Sequence, residues 1–305
     1  MISVVICSIN KILAEQVSKN IHDTIGVPFE LIVIDNNLLK KGIAHVYNLG
    51  AGRAKYDVIC FVHEDVLFQT KGWGAIITGY FNRDRGLGLI GVAGSKYKSS
   101  SLSGWWQGLA AMDCCNILNF DDDNKPVRIF ANPDPSVKLQ QVITLDGVFL
   151  CATRQAWGST PFNESLITGF HFYDIDFSFT LSEKFNVAVT YEIDIVHLNR
   201  AGDFGNAWVD HAIDWHRHHQ LQLPRGLNGK IKATESGDER KIYRNWLYRL
   251  RYENISLKNR LRVIFFSGHW IHYRSWAYIG LFLFYKPYHR FISVFSSGAG
   301  KKANA

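Results

Sequence analysis

The chain has no apolar stretch long enough to cross a bilayer. The longest charge-free apolar run in its C-terminal part, Trp276–Tyr285, is ten residues and is closed by Lys286-Pro287, against about 20 for a spanning helix. The N-terminus lacks the basic region, long apolar core and small-residue cleavage site of a secretion signal and starts directly with strand-like Ile2-Ser3-Val4-Val5-Ile6-Cys7. The expectation is a cytoplasmic protein. Cysteines are few: five, with no C-x-x-C pair. Cys7, Cys60 and Cys151 lie in apolar runs and read as buried free thiols of a reducing compartment. A phosphate loop of the G-x-x-x-x-G-K-[ST] type is missing, which excludes an ordinary nucleotide hydrolase. Gly86-Leu87-Gly88-Leu89-Ile90-Gly91 has the spacing of a dinucleotide fingerprint. It follows a charged stretch and runs into strand-like residues, so it is rejected as a cofactor site.

What is present is a globular composition of 305 residues, 47% hydrophobic, 20% charged and 14% aromatic. The charge is uneven. Residues 222–305 hold 16 Lys/Arg against 4 Asp/Glu, and residues 1–221 hold 18 against 23. The tail also carries 16 of the 42 aromatic residues. An acidic body at 1–221 is thus followed by a basic, aromatic helical extension at 222–305. Such a tail invites an anionic membrane surface or a nucleic acid. Trp, Tyr and Phe mixed with Lys and Arg fit a segment lying on a membrane, with a helical subdomain packed on the body as the plainer reading.

Strand-like Ile2–Cys7, Glu30–Asp35, Val58–Val62 and Leu87–Ala93 alternate with helix-compatible stretches. That rhythm predicts an α/β fold with a mainly parallel central sheet flanked by helices. Residues 95–141 are rich in turn signals and read as an irregular insertion. Leu223–Gly237, with Pro, Gly, Asn and Ser, reads as a linker.

In such sheets ligands bind beyond the carboxyl ends of the strands. Three ends carry polar groups: Ser8 and Asn10, Asp35-Asn36-Asn37, and His63-Glu64-Asp65. The last triplet has two readings that stay open at this level, a strand emerging into a polar loop or a site for a hard divalent cation. Asp121-Asp122-Asp123 has no preceding strand and reads as a solvated turn. His211, His216, His218 and His219 lack the i, i+4 spacing of a helical metal pair and read as a polar face near an anionic ligand. His197 closes apolar Ile195-Val196 and is a candidate third metal ligand. Asp174 and Asp176 open a helix, where acidic side chains are favoured. Two residues apart, they point to different sides, so one can cap while the other serves a pocket as general base.

These residues resemble, in order over roughly residues 1–200, the inverting family 2 glycosyltransferases with the GT-A nucleotide-sugar fold, such as those building bacterial surface polysaccharides. Glu30-Leu31-Ile32-Val33-Ile34-Asp35-Asn36-Asn37 is similar to the family's base-reading segment. Gly42-Ile43-Ala44-His45-Val46-Tyr47-Asn48-Leu49-Gly50 is similar to its G-x-x-x-A-x-N-x-G helix. Val58–Val66 takes the place of its aspartate-x-aspartate strand. Leu145-Asp146-Gly147-Val148-Phe149-Leu150 resembles the strand beside the acceptor, Phe172-Tyr173-Asp174-Ile175-Asp176-Phe177 the E-D-x-D acceptor helix, and Ile195-Val196-His197 the late metal-binding histidine. Two positions depart: His63 stands for the first aspartate, and Tyr173 for the acidic residue before Asp174.

The resemblance implies a GT-A domain and transfer of a sugar from a nucleoside-diphosphate donor to an acceptor hydroxyl, with inversion. It implies Mn²⁺ or Mg²⁺ held by Asp65, with Glu64 and His197. Ser8, Asp35, Asn37, Gly42 and His63 would serve the nucleotide, Asp174 would be the general base, and Asp146, Gly147 and Asp176 would lie beside sugar or acceptor. The acceptor would be a glycan or lipid-linked glycan met at the inner face of the cytoplasmic membrane through the tail, with no nucleic acid involved. The rival readings are a sugar-phosphate nucleotidyltransferase, which wants a Gly- and Lys/Arg-rich loop absent after the first strand, and a non-catalytic nucleic-acid-binding or membrane-binding protein.

Overall fold

In a computed structural model of the chain, residues 1–120, 126–198, 204–227, 229–230 and 236–284 are described. The acidic run Asp121–Asp123, read from sequence as a turn, and residues from Tyr285 onward lie outside them. Apolar runs bounded by polar ends become strands: β1 (Ile2–Ser8), β2 (Phe29–Asp35), β3 (Val58–His63), β4 (Val66–Phe68) and β5 (Leu87–Gly91). The rejected glycine pattern is therefore strand β5. Between them stand α1 (Lys11–Thr24), α2 (Asn36–Leu39), α3 (Ile43–Arg53) and α4 (Trp73–Arg83). The second half adds β6 (Ala93–Ser95), β7 (Tyr97–Lys98), β8 (Asp113–Phe120), β9 (Pro126–Ala131), β10 (Leu139–Val142), β11 (Thr144–Leu145) and β12 (Phe149–Thr153). Then come α5 (Arg154–Ser159), α6 (Tyr173–Leu181), β13 (Asn186–Thr190), β14 (Ile195–His197), α7 (Asn206–His218) and β15 (Arg225–Gly226). The tail contributes α8 (Ser236–Leu250), α9 (Leu257–Phe266) and α10 (Trp276–Phe284).

Seven strands form the central sheet in the order β10-β13-β5-β12-β3-β1-β2. β2, β1, β3, β5 and β13 share one direction, and β12 and β10 oppose it. The sheet is mainly parallel with an antiparallel strand at its centre. Register aligns the carboxyl ends that matter: Ser8 pairs with Asp35 and Cys7 with His63. A second sheet, β11-β6-β8-β14-β4, stands beside that edge. Residues 95–141, read as irregular, supply its β8 and the β9 that pairs with it.

The free-thiol reading is corrected for two cysteines. Cys60 and Cys151 face each other directly across the antiparallel β3–β12 pair and are joined as a disulfide, Cα–Cα 4.1 Å, 91 residues apart in sequence. Close cross-strand opposition of this kind is invisible to a reading of sequence spacing. Cys7, Cys114 and Cys115 are free.

The tail packs into the same core as the body. Ile242, Tyr243, Trp246, Leu247 and Leu250 of α8 are buried in one cluster with residues of β1, β3, β12, α6 and α7. Trp246 stacks on Trp208 at 5.1 Å between ring centroids, and its indole N–H donates to the Trp106 carbonyl at 2.9 Å. The described start of the stretch read as a linker is docked as well. β15 pairs with β7, and buried Arg225 donates to Glu183 at 3.0 Å and to Ser182 at 2.5 Å. No described helix is long and apolar enough to cross a membrane.

Candidate active site

β3 leaves the central sheet at His63 and the chain enters the second sheet as β4, so Glu64-Asp65 is a tight connection between the two at the carboxyl edge. β14 pairs antiparallel with β4, setting His197 opposite Val66. The Leu198 N–H donates to the Asp65 carbonyl at 2.8 Å. This crossover brings residues more than 130 positions apart into contact. His197 Nε2 lies 3.2 Å from Asp65 Oδ2, and His63 Nδ1 lies 3.9 Å from Asp65 Oδ1. One donor atom from each of His63, Asp65 and His197 falls within 4.8 Å of the others. Asp65 is 8% exposed.

Burial penalises the charged form of His63, and its pKa is lowered despite the nearby Asp65. Burial opposes the charged form of His197 too, but the Asp65 hydrogen bond and charge outweigh it and the pKa is raised. A neutral imidazole, a second imidazole pulled toward a carboxylate, and that carboxylate make a donor set that fits a divalent cation. Two nitrogen ligands suit a transition ion such as Mn²⁺ better than Mg²⁺, which prefers oxygen.

Glu64 is placed elsewhere. Its carboxylate accepts the Ile9 and Asn10 N–H groups at 3.2 and 3.0 Å, holding the β1–α1 connection instead of joining the triad. The same turn collects three of the residues expected to serve a nucleotide. Asn37 donates to the Ile9 carbonyl at 2.7 Å, and Asp35 accepts the Asn37 N–H at 2.9 Å. Ser8 is buried beside them. Gly42 lies against the loop before α6. A Cβ there would sit 2.4 Å from the Thr168 carbonyl oxygen, so a glycine is needed for α3 to approach that loop. Asn48 of the same helix clamps the loop further on, donating to the Phe162 carbonyl and to Glu164, both at 2.8 Å.

α6 starts at the β11–β12 turn. Phe172, its N-cap, has φ of 67°, a left-handed conformation that costs a bulky residue energy; its buried ring packs against Trp208 and Trp215. Asp174 accepts the Gly147 N–H at 2.8 Å and the Ile175 N–H at 2.9 Å. A Cβ on Gly147 would meet the Tyr173 hydroxyl at 2.0 Å, so glycine is required for this contact. Burial, then the charge of Asp146, pushes the Asp174 pKa up to about 7. Asp146 itself accepts the Val148 N–H at 2.8 Å.

The feature sequence reading missed is a bond between the two departing positions. His63 Nε2 and the Tyr173 hydroxyl are 2.5 Å apart. Their shared departure from the pattern was the available signal. Asp176, by contrast, turns away from Asp174. Its Oδ1 accepts from Trp215 Nε1 and His219 Nε2, both at 2.9 Å. The histidines of α7 do not form one polar face either. His216 is buried against Lys98 Nζ at 3.0 Å, and His219 against Asp176.

A sheet of this order with polar clusters at the carboxyl edge of β1–β3, and a second sheet carrying a histidine back to them, defines a GT-A fold. Across residues 3–221 the sequence matches the Glycosyltransferase like family, and the chain belongs to it. No curated protein sequence matches the chain. Among solved structures, it is similar to the mannosyltransferase PcManGT from Pyrobaculum calidifontis in complex with GDP-Man and Mn²⁺, at 11% identity and TM-score 0.50, covering 98% of this chain and 80% of that one. It is also similar to GalNAc-T7 with UDP, GalNAc and Mn²⁺, at 11% identity and TM-score 0.47, over 66% of this chain and 44% of that one. At such identity the likeness is one of fold.

Proposed function

We propose that the protein transfers a sugar, with inversion, from a nucleoside-diphosphate sugar to a hydroxyl of a glycan or lipid-linked glycan, in the synthesis of a cell-surface polysaccharide or glycolipid. The observation carrying this reading is the linkage of the two halves of the site. The residue preceding the half-buried Asp174 carboxylate is hydrogen-bonded to His63 of the candidate metal triad. A solved structure of similar fold that holds GDP-Man and Mn²⁺ supports it.

Asp65, His63 and His197 would hold Mn²⁺. A cation there would supply counter-charge to the departing diphosphate. The Tyr173 hydroxyl engages Nε2 of His63 and leaves Nδ1 to face the Asp65 side, the arrangement by which an outer partner orients a ligating imidazole. Ser8, Asp35, Asn37 and the Glu64-braced turn would receive the nucleoside. Asp174 would take the proton of the acceptor hydroxyl as its oxygen bonds the anomeric carbon. The bond from that carbon to the diphosphate oxygen breaks, its electron pair staying with the diphosphate. With a pKa near neutrality, Asp174 is poised for this exchange. The Gly147 N–H would fix its carboxylate. The basic tail would rest on the inner face of the cytoplasmic membrane, where Phe265, Ile271, Tyr273, Trp276 and Phe284 are exposed alongside Lys258 and Arg274.

A calorimetric screen of UDP-, GDP- and dTDP-sugars with Mn²⁺, Mg²⁺ or neither tests this. The expected result is at least one donor that binds with Mn²⁺ and more weakly with Mg²⁺, and that supports transfer. Silence across the whole panel would sink the reading.

A further inference from the structure

α6 has a second face that the chemistry above does not use. Two recesses of about 460 and 360 Å³ share Asn163, Asp176 and Thr180. They are parts of one groove along α6, between the loop of residues 160–165 and the end of α7. At its floor is Asp176, 4% exposed. Its Oδ1 takes both the Trp215 and His219 hydrogen bonds, and its Oδ2 has no hydrogen bond among the described residues. His219 Nδ1 faces Gln222 Oε1 at 2.8 Å, and the Gln222 amide nitrogen is committed to Glu183 at 2.9 Å. Both ring nitrogens of His219 thus face acceptor oxygens, Gln222 Oε1 on one side and Asp176 Oδ1 on the other.

A buried polar pair is a weak source of stability, and apolar residues would join α6 to α7 at less cost. Here the pair lies under an open groove with a spare carboxylate oxygen. The lining selects the ligand. It contains no Lys or Arg and has two carboxylates, Asp176 and Glu164, which disfavours a phosphate or nucleotide. Amide and hydroxyl groups from Asn163, Ser165 and Thr180 disfavour a lipid chain. Neutral, polyhydroxylated chemistry remains. The groove is also within reach of the base. Thr180 follows Asp174 by six residues on one helix, about 9 Å of rise.

We propose that this groove is a glycan subsite: it holds the non-reacting sugars of an oligosaccharide acceptor whose terminal hydroxyl meets Asp174. The assignment rests on the transferase reading and deepens it, naming the acceptor as a neutral oligosaccharide. Binding energy gathered by the remote sugars orients the reacting one.

The test is saturation-transfer NMR on the full chain with maltotetraose, cellotetraose and chitotetraose, beside glucose and N-acetylglucosamine, in the wild type, in Thr180→Trp, which fills the groove, and in Asn163→Ala, which removes one lining amide. At least one tetrasaccharide is expected to bind more than ~10-fold tighter than its monosaccharide, a gain of about 1.4 kcal/mol. Thr180→Trp is expected to abolish that difference while Mn²⁺-dependent nucleotide-sugar binding and the unfolding midpoint stay put. If Thr180→Trp does not fold, Asn163→Ala must weaken the tetrasaccharide. No binding by any tetrasaccharide, or equal binding to the wild type and the folded variants, overturns the subsite. Tetrasaccharide binding in a protein that binds no nucleotide sugar leaves the groove standing and removes the transferase reading.

Discussion

In the proposed reaction, Asp174 concentrates the chemistry into one proton. Its pKa of about 7 lies above the ordinary 3.8, so the active carboxylate form grows as pH rises. Transfer rate should climb roughly tenfold per pH unit below about 7 and level off above it. Asp174→Asn should erase the limb and lower kcat by ~10²–10⁴ while donor affinity is kept. A variant with full turnover would refute the base assignment. The linkage has the opposite sign for stability. A raised folded pKa favours the protonated form, so the native state is least burdened below pH 3.8 and loses stability as pH rises toward about 7. Asp174→Asn should therefore unfold at a higher denaturant concentration than the wild type at pH 8, with the gap closing at pH 4. Tyr173→Phe keeps the ring but drops the bond to His63. Mn²⁺ affinity, read by electron paramagnetic resonance, should fall ~10–100-fold, and an unchanged affinity would assign Tyr173 to packing alone.

At the scale of elements, β1, β2 and β3 were legible because each is a continuous apolar run ending in polar residues, and strand ends at one edge follow from parallel register. The direction of β12 was not, because alternation and hydrophobicity say nothing about which way a strand runs. The Cys60–Cys151 bridge depends on that direction and was lost with it. The Asp65–His197 approach was anticipated because both residues end apolar strands. The bond between His63 and Tyr173 was hidden because it joins a strand end to a helix start 110 residues away. Helical geometry separated Asp174 from Asp176 in advance, yet it could not say that Trp215 and His219 of α7 would claim the second carboxylate. The tail's attachment was also obscure, since Trp246 reads as interfacial or as core with equal ease. The structure makes it core. Trp246→Ala should destabilise the chain by about 3–5 kcal/mol, measured by denaturant unfolding, and a loss under 1 kcal/mol would mean that α8 is loosely held.

For the whole molecule, charge asymmetry and exposed aromatic residues on α9 and α10 predict attraction to acidic lipid. The protein should co-sediment with vesicles of phosphatidylglycerol and phosphatidylethanolamine and be released by salt, because screening weakens each basic contact. The double variant Ile271→Asp, Trp276→Asp should cut the bound fraction several-fold, since both residues are exposed. Binding that ignores both changes would exclude this surface. The stacking of Trp246 on Trp208 gives that surface a geometric meaning. Helices α8–α10, sharing their core with the body, cannot swing like a tether. If they lie on a bilayer, the carboxyl edge of β1–β3 stands at a set height above the lipid. The enzyme would then act as a ruler, meeting only those glycan ends that project far enough to touch it.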